Sequence, residues 1–221
     1  MWVIKLGGSL LASAEGRQAL RAWLALIVEQ ADGQVIIVPG GGLFADAVRT
    51  AQQQSGCDDV TAHRLALLAM DQYGMLLAGL APGLVTAQSE LEIAERSWQH
   101  RPMVWLPSRM LLADRHIAAS WDVTSDSLAA WLAAKLGASH LLLVKSVRPA
   151  GARMCVEALV SSGLVDASFA DYIQQPASAS FFSTWLLGPQ DHLLFSSGFV
   201  AAHLQQGALA VEASTNVPEA I

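Results

Sequence analysis

A unit made of a short apolar run, a glycine turn and an amphipathic helix occurs twice before residue 55. The first copy comprises Trp2 to Leu6, Gly7-Gly8-Ser9, and a stretch from Glu15 to Gln30 with apolar residues at helical spacing. The second comprises Gln34 to Val38, Pro39-Gly40-Gly41-Gly42, and a helical stretch from Phe44 to about Gln54. Buried strands that alternate with helices are typical of a mostly parallel sheet covered on both faces. We therefore predict an α/β fold, a three-layer αβα sandwich with an open sheet.

The remaining chain continues the alternation of strands and helices. Helices are predicted at Thr61 to Leu80, from about Ser125 to Gly137, at Ser180 to Leu187 and at Val200 to Gln206. Strands are predicted at Leu84 to Thr86, Met103 to Leu106, His140 to Lys145, His192 to Phe195 and Ala208 to Ala213. Pro176 to Ser180 reads as a loop.

Composition favours one domain that acts on a small molecule. The chain has 221 residues, 53% hydrophobic and only 14% charged, which is ample for a single core over residues 1–221. A formal charge of -6 without a basic run argues against nucleic acid. The apolar runs are too short for a membrane span. Cys57 and Cys155 are far apart and form no CxxC motif, which fits a reducing cytoplasm.

The two glycine turns are candidate phosphate-binding sites. A glycine turn between a strand and a helix leaves backbone N–H groups free to bind an anion, and the carboxyl edge of a parallel sheet would bring both turns together. Lys5, at the end of the first strand, is placed to neutralise a transferring phosphoryl group. The alternative is that these glycines only make tight turns.

Two other nucleotide-binding patterns fit the chain less well. The Walker A pattern GxxxxGK[ST] does not occur. The segment Gly40 to Ala45 does match the loose dinucleotide pattern GxGxxG/A after a strand. The acidic ribose ligand of that motif should end the next strand, whereas Asp58 and Asp59 lie in a polar stretch between predicted helices. A dinucleotide enzyme remains an alternative that ranks behind a kinase.

A third element, Thr124-Ser125-Asp126-Ser127-Leu128-Ala129, opens a predicted helix. Ser125 can cap this helix, and Asp126 would lie in its first turn, where a carboxylate favours the helix dipole. Capping alone would explain both residues. Beside phosphate-binding turns, however, such a carboxylate can orient lysines or a magnesium ion.

Together these elements resemble the amino acid kinase family. The resemblance rests on Lys5-Leu6-Gly7-Gly8-Ser9, Pro39-Gly40-Gly41-Gly42 and Ser125-Asp126-Ser127-Leu128-Ala129, which occur in the family's order. Within the family, the chain is most similar to the [5-(aminomethyl)furan-3-yl]methyl phosphate kinases of methanofuran biosynthesis. That similarity is carried by His63-Arg64-Leu65-Ala66, Met70-Asp71, Leu106-Pro107-Ser108 and Val123 to Leu128.

The resemblance implies the amino acid kinase fold and an ATP- and Mg²⁺-dependent transfer to a small phosphorylated or carboxylated metabolite. An aminomethylfuran phosphate of one-carbon cofactor biosynthesis would give its diphosphate. By resemblance, Lys5 and Asp126 are catalytic, and the phosphate- or ATP-binding residues are Gly7, Gly8, Ser9, Gly40, Gly41 and Gly42. Lys145 is a third catalytic candidate that the resemblance does not supply, and no residue is assigned as a metal ligand. Weaker candidates for the acceptor are His63, Arg64, Asp71 and Ser125. Residues 1–138 would form the acceptor half and 139–221 the nucleotide half of a cytoplasmic homo-oligomer.

The resemblance weakens after Val144. Family members carry a Thr-Asp-x-Asp-Gly type segment there and a second catalytic lysine in the C-terminal half. This chain has Lys145-Ser146-Val147-Arg148-Pro149 instead, and its only lysines are Lys5, Lys135 and Lys145. Lys145 could supply the cation from a new position. Alternatively, the protein is a catalytically impaired homologue that binds a metabolite or acts as a regulatory subunit.

Overall fold

The two glycine turns end neighbouring strands at the centre of an eight-stranded sheet. A computed structural model describes residues 1–114, 116–174 and 182–212. The strands are β1 (Trp2–Leu6), β2 (Val35–Pro39), β3 (Val85–Ala87), β4 (Met103–Trp105), β5 (His140–Val144), β6 (Arg153–Cys155), β7 (Ser183–Leu187) and β8 (Leu209–Glu212). Their order in the sheet is β3-β4-β2-β1-β5-β7-β8-β6, and only β7 and β8 pair antiparallel. The predicted mostly parallel sheet is confirmed.

Helices cover both faces of this sheet. They are α1 (Ala14–Gln30), α2 (Gly42–Ser55), α3 (Asp59–Leu80), α4 (Glu90–Trp98), α5 (Ser108–Leu111), α6 (Ser125–Lys135), α7 (Val156–Ser161), α8 (Phe169–Gln174) and α9 (Ala201–Gly207). Short 3-10 helices span Gly8–Leu11 and Pro189–Phe195. In the described parts of the chain, no helix is long and apolar enough to cross a membrane.

Alternation along the central strands divides the core into two clusters. In β1, Val3 contributes to the cluster that contains α6, while Ile4 contributes to the cluster that contains α1. Because side chains alternate along a strand, Lys5 lies on the same face as Val3. In β5, Leu141 and Leu143 likewise belong to the α6 cluster. The alternation along β1 therefore places Lys5 on the side of α6. Lys145, which directly follows β5 and continues the alternation of Leu141 and Leu143, is expected on the same side.

Two predictions in the C-terminal part were wrong. The described portion of Ser180 to Leu187 is strand β7, which pairs with β5 over five positions. Its alternating pattern is that of a strand with one exposed end, and a short apolar segment does not distinguish strand from helix. The segment His192 to Phe195 is part of a 3-10 helix, which Pro189 begins. Ala213 and Pro176 to Ser180 lie outside the described residues.

Candidate active site

The two glycine turns pack directly against each other. A Cβ atom added to Gly8 would lie 2.2 Å from the Cα of Gly42, and one added to Gly40 would lie 2.7 Å from the backbone N of Gly8. Gly42 also has a positive φ of 53°, which a residue with a side chain rarely adopts. The contact between turns thus requires glycine for steric reasons and brings the ends of β1 and β2 to one place.

A buried tyrosine supports both turns from below. The ring of Tyr73, on α3, lies beneath Gly42, and its hydroxyl donates a long hydrogen bond of 3.5 Å to the carbonyl of Gly7. Burial raises the pKa of Tyr73, so the phenol stays protonated and remains a donor. Sequence reasoning did not identify this residue, because an aromatic in a long apolar helix looks like any core residue.

Asp126 is buried between two lysines. Its Oδ2 accepts a hydrogen bond of 2.6 Å from Lys145 Nζ, and its Oδ1 lies 3.0 Å from Lys5 Nζ. The second contact is at ion-pair distance but is not aligned as a hydrogen bond, which leaves that oxygen without a directed donor. Lys5 and Asp126 are only 6% and 4% exposed. The structure therefore brings together the three residues that the sequence singled out as catalytic.

The three charges perturb one another. Burial alone would raise the pKa of Asp126, but the positive charges of Lys5 and Lys145 outweigh burial and lower it. Burial, together with repulsion from Lys5, lowers the pKa of Lys145 to about 8, and the attraction of Asp126 offsets this only in part. Asp126 is thus an anion at neutral pH, and Lys145 is a cation that loses its proton more easily than an ordinary lysine.

The cationic pair lies next to the first glycine turn. A Cβ added to Gly7 would touch Lys5 Nζ at 3.4 Å. Lys145 directly follows β5, which pairs with β1 in register Leu6 to Val144. Two ammonium groups beside the backbone of a glycine turn are a donor set of the kind that phosphate oxygens require.

The N-terminus of α6 is held by a residue that the sequence did not indicate. Thr124, not Ser125, is the N-cap residue, so the prediction that Ser125 caps the helix was wrong. The hydroxyl of Thr124 donates to Asp166, and the backbone N–H of Ser127 donates to the same carboxylate at 3.0 Å. Asp166 comes from the segment between α7 and α8, so only the tertiary structure supplies the acceptor.

A cavity of about 420 Å³ opens beside the turns. Its lining includes the predicted residues Gly8, Ser9, Gly40, Gly41, Gly42, His63 and Ser125. Its other walls are largely apolar and come from Leu67, Met70, Val123 and Leu128. Lys5, Asp126 and Lys145 do not line it, although Asp126 directly follows the lining residue Ser125 in sequence. The volume lies within the range of pockets that hold small metabolites.

The mouth of this cavity has an aromatic wall that sequence reasoning missed. The guanidinium of Arg49 stacks over the ring of Trp121, 4.2 Å from its centroid, and the indole N–H of Trp121 donates to Gln52 at 2.7 Å. Arg49 also pairs with Asp46 at 3.4 Å, an exposed contact. The only sequence signal was the position of Trp121, shortly before the Thr124 to Ala129 element.

The structure places the acceptor candidates His63, Arg64 and Asp71 in different environments. His63 is half-buried in the cavity wall; burial lowers its pKa, and a hydrogen bond to the backbone of Ser120 partly offsets this. Arg64 is exposed and does not line the cavity. Asp71 instead accepts two hydrogen bonds from Ser108, one from its backbone N–H at 3.1 Å. Burial raises the pKa of Asp71, while these bonds oppose the rise.

The donor set suits phosphate groups better than a bare metal ion. Both carboxylate oxygens of Asp126 face lysine ammonium groups. Within the residues that the structure describes, no group of three or more His, Cys, Asp or Glu side chains could hold a metal. An Mg²⁺ ion would therefore be held through phosphate oxygens and water, as is common for this cation.

Comparison with known proteins identifies the family. The model of the amino acid kinase family matches residues 1–148 of this chain. The chain belongs to the amino acid kinase family. A [5-(aminomethyl)furan-3-yl]methyl phosphate kinase of Methanocaldococcus jannaschii is 30% identical over 148 residues, an alignment that covers 66% of this chain and 66% of that protein.

Solved structures agree on the fold of this amino acid kinase family member over nearly its whole length. A uridylate kinase from Archaeoglobus fulgidus superimposes with a TM-score of 0.66 at 18% identity, covering 96% of this chain and 99% of that chain. A carbamate kinase from Giardia lamblia bound to AMP-PNP gives 0.61 at 10% identity, covering 96% and 98%. The amino acid kinase fold predicted from the motifs is confirmed. The position of Asp58 argues against the dinucleotide motif, because Asp58 caps α3 and does not end a strand as that motif would require.

Proposed function

We propose that this chain is an ATP-dependent kinase that transfers the γ-phosphoryl group to a small phosphorylated or carboxylated metabolite bound in the cavity. The observation that carries the proposal is the buried Lys5–Asp126–Lys145 cluster beside the two glycine turns. The function of the Methanocaldococcus jannaschii relative favours a phosphate monoester, such as an aminomethylfuran phosphate, as the acceptor and its diphosphate as the product.

The reaction requires no covalent intermediate on the protein. An oxygen of the acceptor phosphate forms a bond to the γ-phosphorus, the bond from this phosphorus to the β,γ-bridging oxygen breaks, and ADP leaves. Charge on the transferred group is met by Lys5 and Lys145, and Asp126 holds their ammonium groups at fixed positions. Mg²⁺, when bound with ATP, would neutralise phosphate charge.

The shape of the cavity suits an acceptor with a phosphate at one end and a flat ring. Part of its lining is glycine backbone from the two turns, where N–H groups can bind the acceptor phosphate. Apolar side chains and the Trp121 ring form the remaining walls, which can pack against a ring. Asp46 and Arg49 at the mouth offer one charge of each sign for a polar substituent.

Three single lysine variants test the proposal. Lys5→Ala and Lys145→Ala should each lower kcat by on the order of a hundredfold or more, because each removes a charge that is already in place in the transition state. Lys135→Ala is the matched control, since Lys135 pairs with Glu90 near the other end of α6, and it should keep full activity. Transfer from ATP would be measured over a panel of monophosphates that includes the furan compound. Full activity of the Lys5→Ala variant on its best acceptor would refute the assigned role.

A second function, a binding or regulatory protein without catalysis, is favoured by one observation. The family match ends at residue 148, so most of the expected nucleotide half lies outside it. Arg148, which could otherwise replace a lost lysine, donates to the carbonyl of Gly207 and lies 3.5 Å from Asp191, not at the cluster. Titration calorimetry with ATP and Mg²⁺ decides between the two: no binding at millimolar ATP by the folded protein would favour the binder.

A further inference from the structure

We infer that Asp166 is a positioning residue for phosphoryl transfer, because its carboxylate fixes the helix start that carries Asp126. This inference rests on the proposed kinase function. Asp166 belongs to the segment after α7, outside residues 1–148 that match the family.

Asp166 accepts four hydrogen bonds from two residues at the start of α6. Oδ2 accepts from the backbone N–H of Thr124 at 2.9 Å, from its hydroxyl at 2.8 Å and from the backbone N–H of Ser127 at 3.0 Å. Oδ1 accepts from the hydroxyl of Ser127. One carboxylate therefore satisfies two backbone donors at a helix N-terminus that has no side-chain cap of its own.

These bonds flank Asp126 on both sides in sequence. Thr124 and Ser127 lie two residues before and one residue after it, so the backbone of Asp126 cannot rotate or shift without breaking contacts with Asp166. A further bond, from the N–H of Ser168 to the carbonyl of Asp122, fastens the same two segments at 3.1 Å. The buried side chains of Val165 and Phe169 belong to the same core cluster as those of α6.

Asp166 also acts on the cluster by its charge. The charged groups that face Lys145 are Lys5 from β1, Asp126 from α6 and Asp166 from the segment before α8. Lys5 lowers the pKa of Lys145, whereas both carboxylates raise it. Removing the charge of Asp166 should therefore lower the pKa of Lys145 further, below its present value of about 8.

The test compares Asp166→Asn with Asp171→Asn, a matched control five residues on that is exposed on α8. Asn keeps the size of the side chain but loses the charge and one acceptor oxygen. We expect Asp166→Asn to lower kcat by on the order of tenfold to a hundredfold, since small displacements of a catalytic group have effects of this size, with KM for ATP nearly unchanged. Asp171→Asn should behave like the unchanged protein, and Asp166→Glu should recover part of the lost kcat.

A second measurement separates positioning from a merely structural role and does not depend on activity. The pKa of Lys145 would be followed by NMR of isotope-labelled lysine, assigned with the Lys145→Ala variant. Asp166→Asn should lower this pKa and shift the high-pH limb of kcat/KM in the same direction, while Asp166→Glu should leave both in place. If Asp166→Asn fails to fold, Ser127→Ala, which removes one donor to the carboxylate, should show a smaller fall in kcat.

The outcomes are distinguishable from failure of the kinase proposal. A folded Asp166→Asn protein with unchanged kcat and an unchanged Lys145 pKa would overturn the positioning role while leaving the kinase intact. If no variant and no parent protein transfers phosphate, the kinase proposal fails, and the lysine titration alone decides whether Asp166 organises the cluster.

Discussion

Asp126 shows how a single buried carboxylate can hold two cations together. Lys5 is 6% exposed, and the Lys145 side chain is 14% exposed, so neither ammonium group is fully hydrated. Two buried like charges repel each other unless an anion lies between them. Asp126 supplies this anion, and its pKa is lowered as a result, so the arrangement persists well below neutral pH.

We therefore expect Asp126→Asn to be strongly destabilising. The substitution leaves two buried cations uncompensated, and the free energy of unfolding should fall by about 3 to 5 kcal/mol at pH 7. The deficit should be smaller at pH 9.5, where Lys145 is neutral in both proteins; because Asp126 raises the pKa of Lys145, that pKa lies below about 8 in the variant, which then loses the proton and the repulsion at lower pH than the parent. Urea unfolding followed by circular dichroism at pH 7 and pH 9.5 measures both effects. Asp122→Asn, an exposed neighbour, is the control, and equal stability of the Asp126→Asn variant and the parent would contradict the account.

The pH dependence of catalysis follows from Lys145. In the proposed reaction, transfer requires the protonated form of Lys145, and the protonated fraction falls as the pH rises through about 8. We expect kcat/KM, which reports the free enzyme, to fall tenfold per pH unit above this value. Lys145→Arg should move the fall to much higher pH, because a guanidinium keeps its charge. A flat profile to pH 10 in the parent protein would show that Lys145 carries no essential proton.

At the scale of elements, the contact between the two glycine turns is the most demanding feature. The 3-10 helix that begins at Gly8 lies so close to the start of α2 that a side chain at Gly8 would collide with Gly42, while Gly42 itself has a positive φ that disfavours a side chain. Both turns depend on their strands for position, since β1 and β2 pair in parallel from Trp2 to Leu6. Backbone N–H groups at this contact are thereby kept close to the cluster.

Gly8→Ala should disrupt this contact without abolishing the fold. The new methyl group would lie 2.2 Å from the Cα of Gly42, so the turns must separate, at a cost of about 1 to 3 kcal/mol in unfolding free energy. Transfer should fall by on the order of a hundredfold, because the backbone that is proposed to bind phosphate moves.

Gly79→Ala provides the control. Gly79 lies within α3, and nothing stands within 4 Å of an added Cβ, so this variant should keep its activity and gain about 0.5 to 1 kcal/mol in stability. Thermal unfolding and steady-state kinetics of both variants give the comparison. Similar losses of activity in the two variants would mean that the turn contact has no special role.

At the scale of the whole molecule, the predicted acceptor and nucleotide halves share one sheet. β5, at the start of the 139–221 half, pairs with β1 along all five residues of both strands. The site itself draws Lys5 and Asp126 from the first half and Lys145 from the second. The two halves are therefore distinguished by the ligand that each is expected to bind. This division stays a prediction, and so does the homo-oligomer.

We expect the two halves to unfold as one cooperative unit. Separating them would break the central β1–β5 pairing and divide both core clusters, because each cluster contains buried residues from both halves. Tryptophan fluorescence and far-UV circular dichroism should give coincident urea transitions with the same midpoint. Two separated transitions would instead indicate that residues 1–138 form an independent unit.

Much of the candidate site could be predicted from the sequence, because each feature that indicates it lies within a few neighbouring residues. A buried lysine before a glycine turn, a second glycine turn after a β-branched strand, and an aspartate at a helix start each have a local physical meaning, and strand alternation then places Lys5 towards α6. The strand β7 and the 3-10 helix at residues 189–195 were misread because short apolar segments fit either periodicity. The N-cap of α6 was predicted at Ser125 and not at Thr124, because Asp166, which accepts the hydrogen bond of the Thr124 hydroxyl, is distant in sequence.

The sequence by itself determined the alternating fold and the identities of Lys5, Asp126 and the glycine turns, since backbone conformation and strand period are set by neighbouring residues. Only the tertiary structure decided that Lys145 meets Asp126 at 2.6 Å and that Arg49 stacks on Trp121. Only the tertiary structure placed Asp166 at the start of α6. Such contacts join residues from separate elements, and their geometry depends on how these elements pack, which no short stretch of sequence specifies.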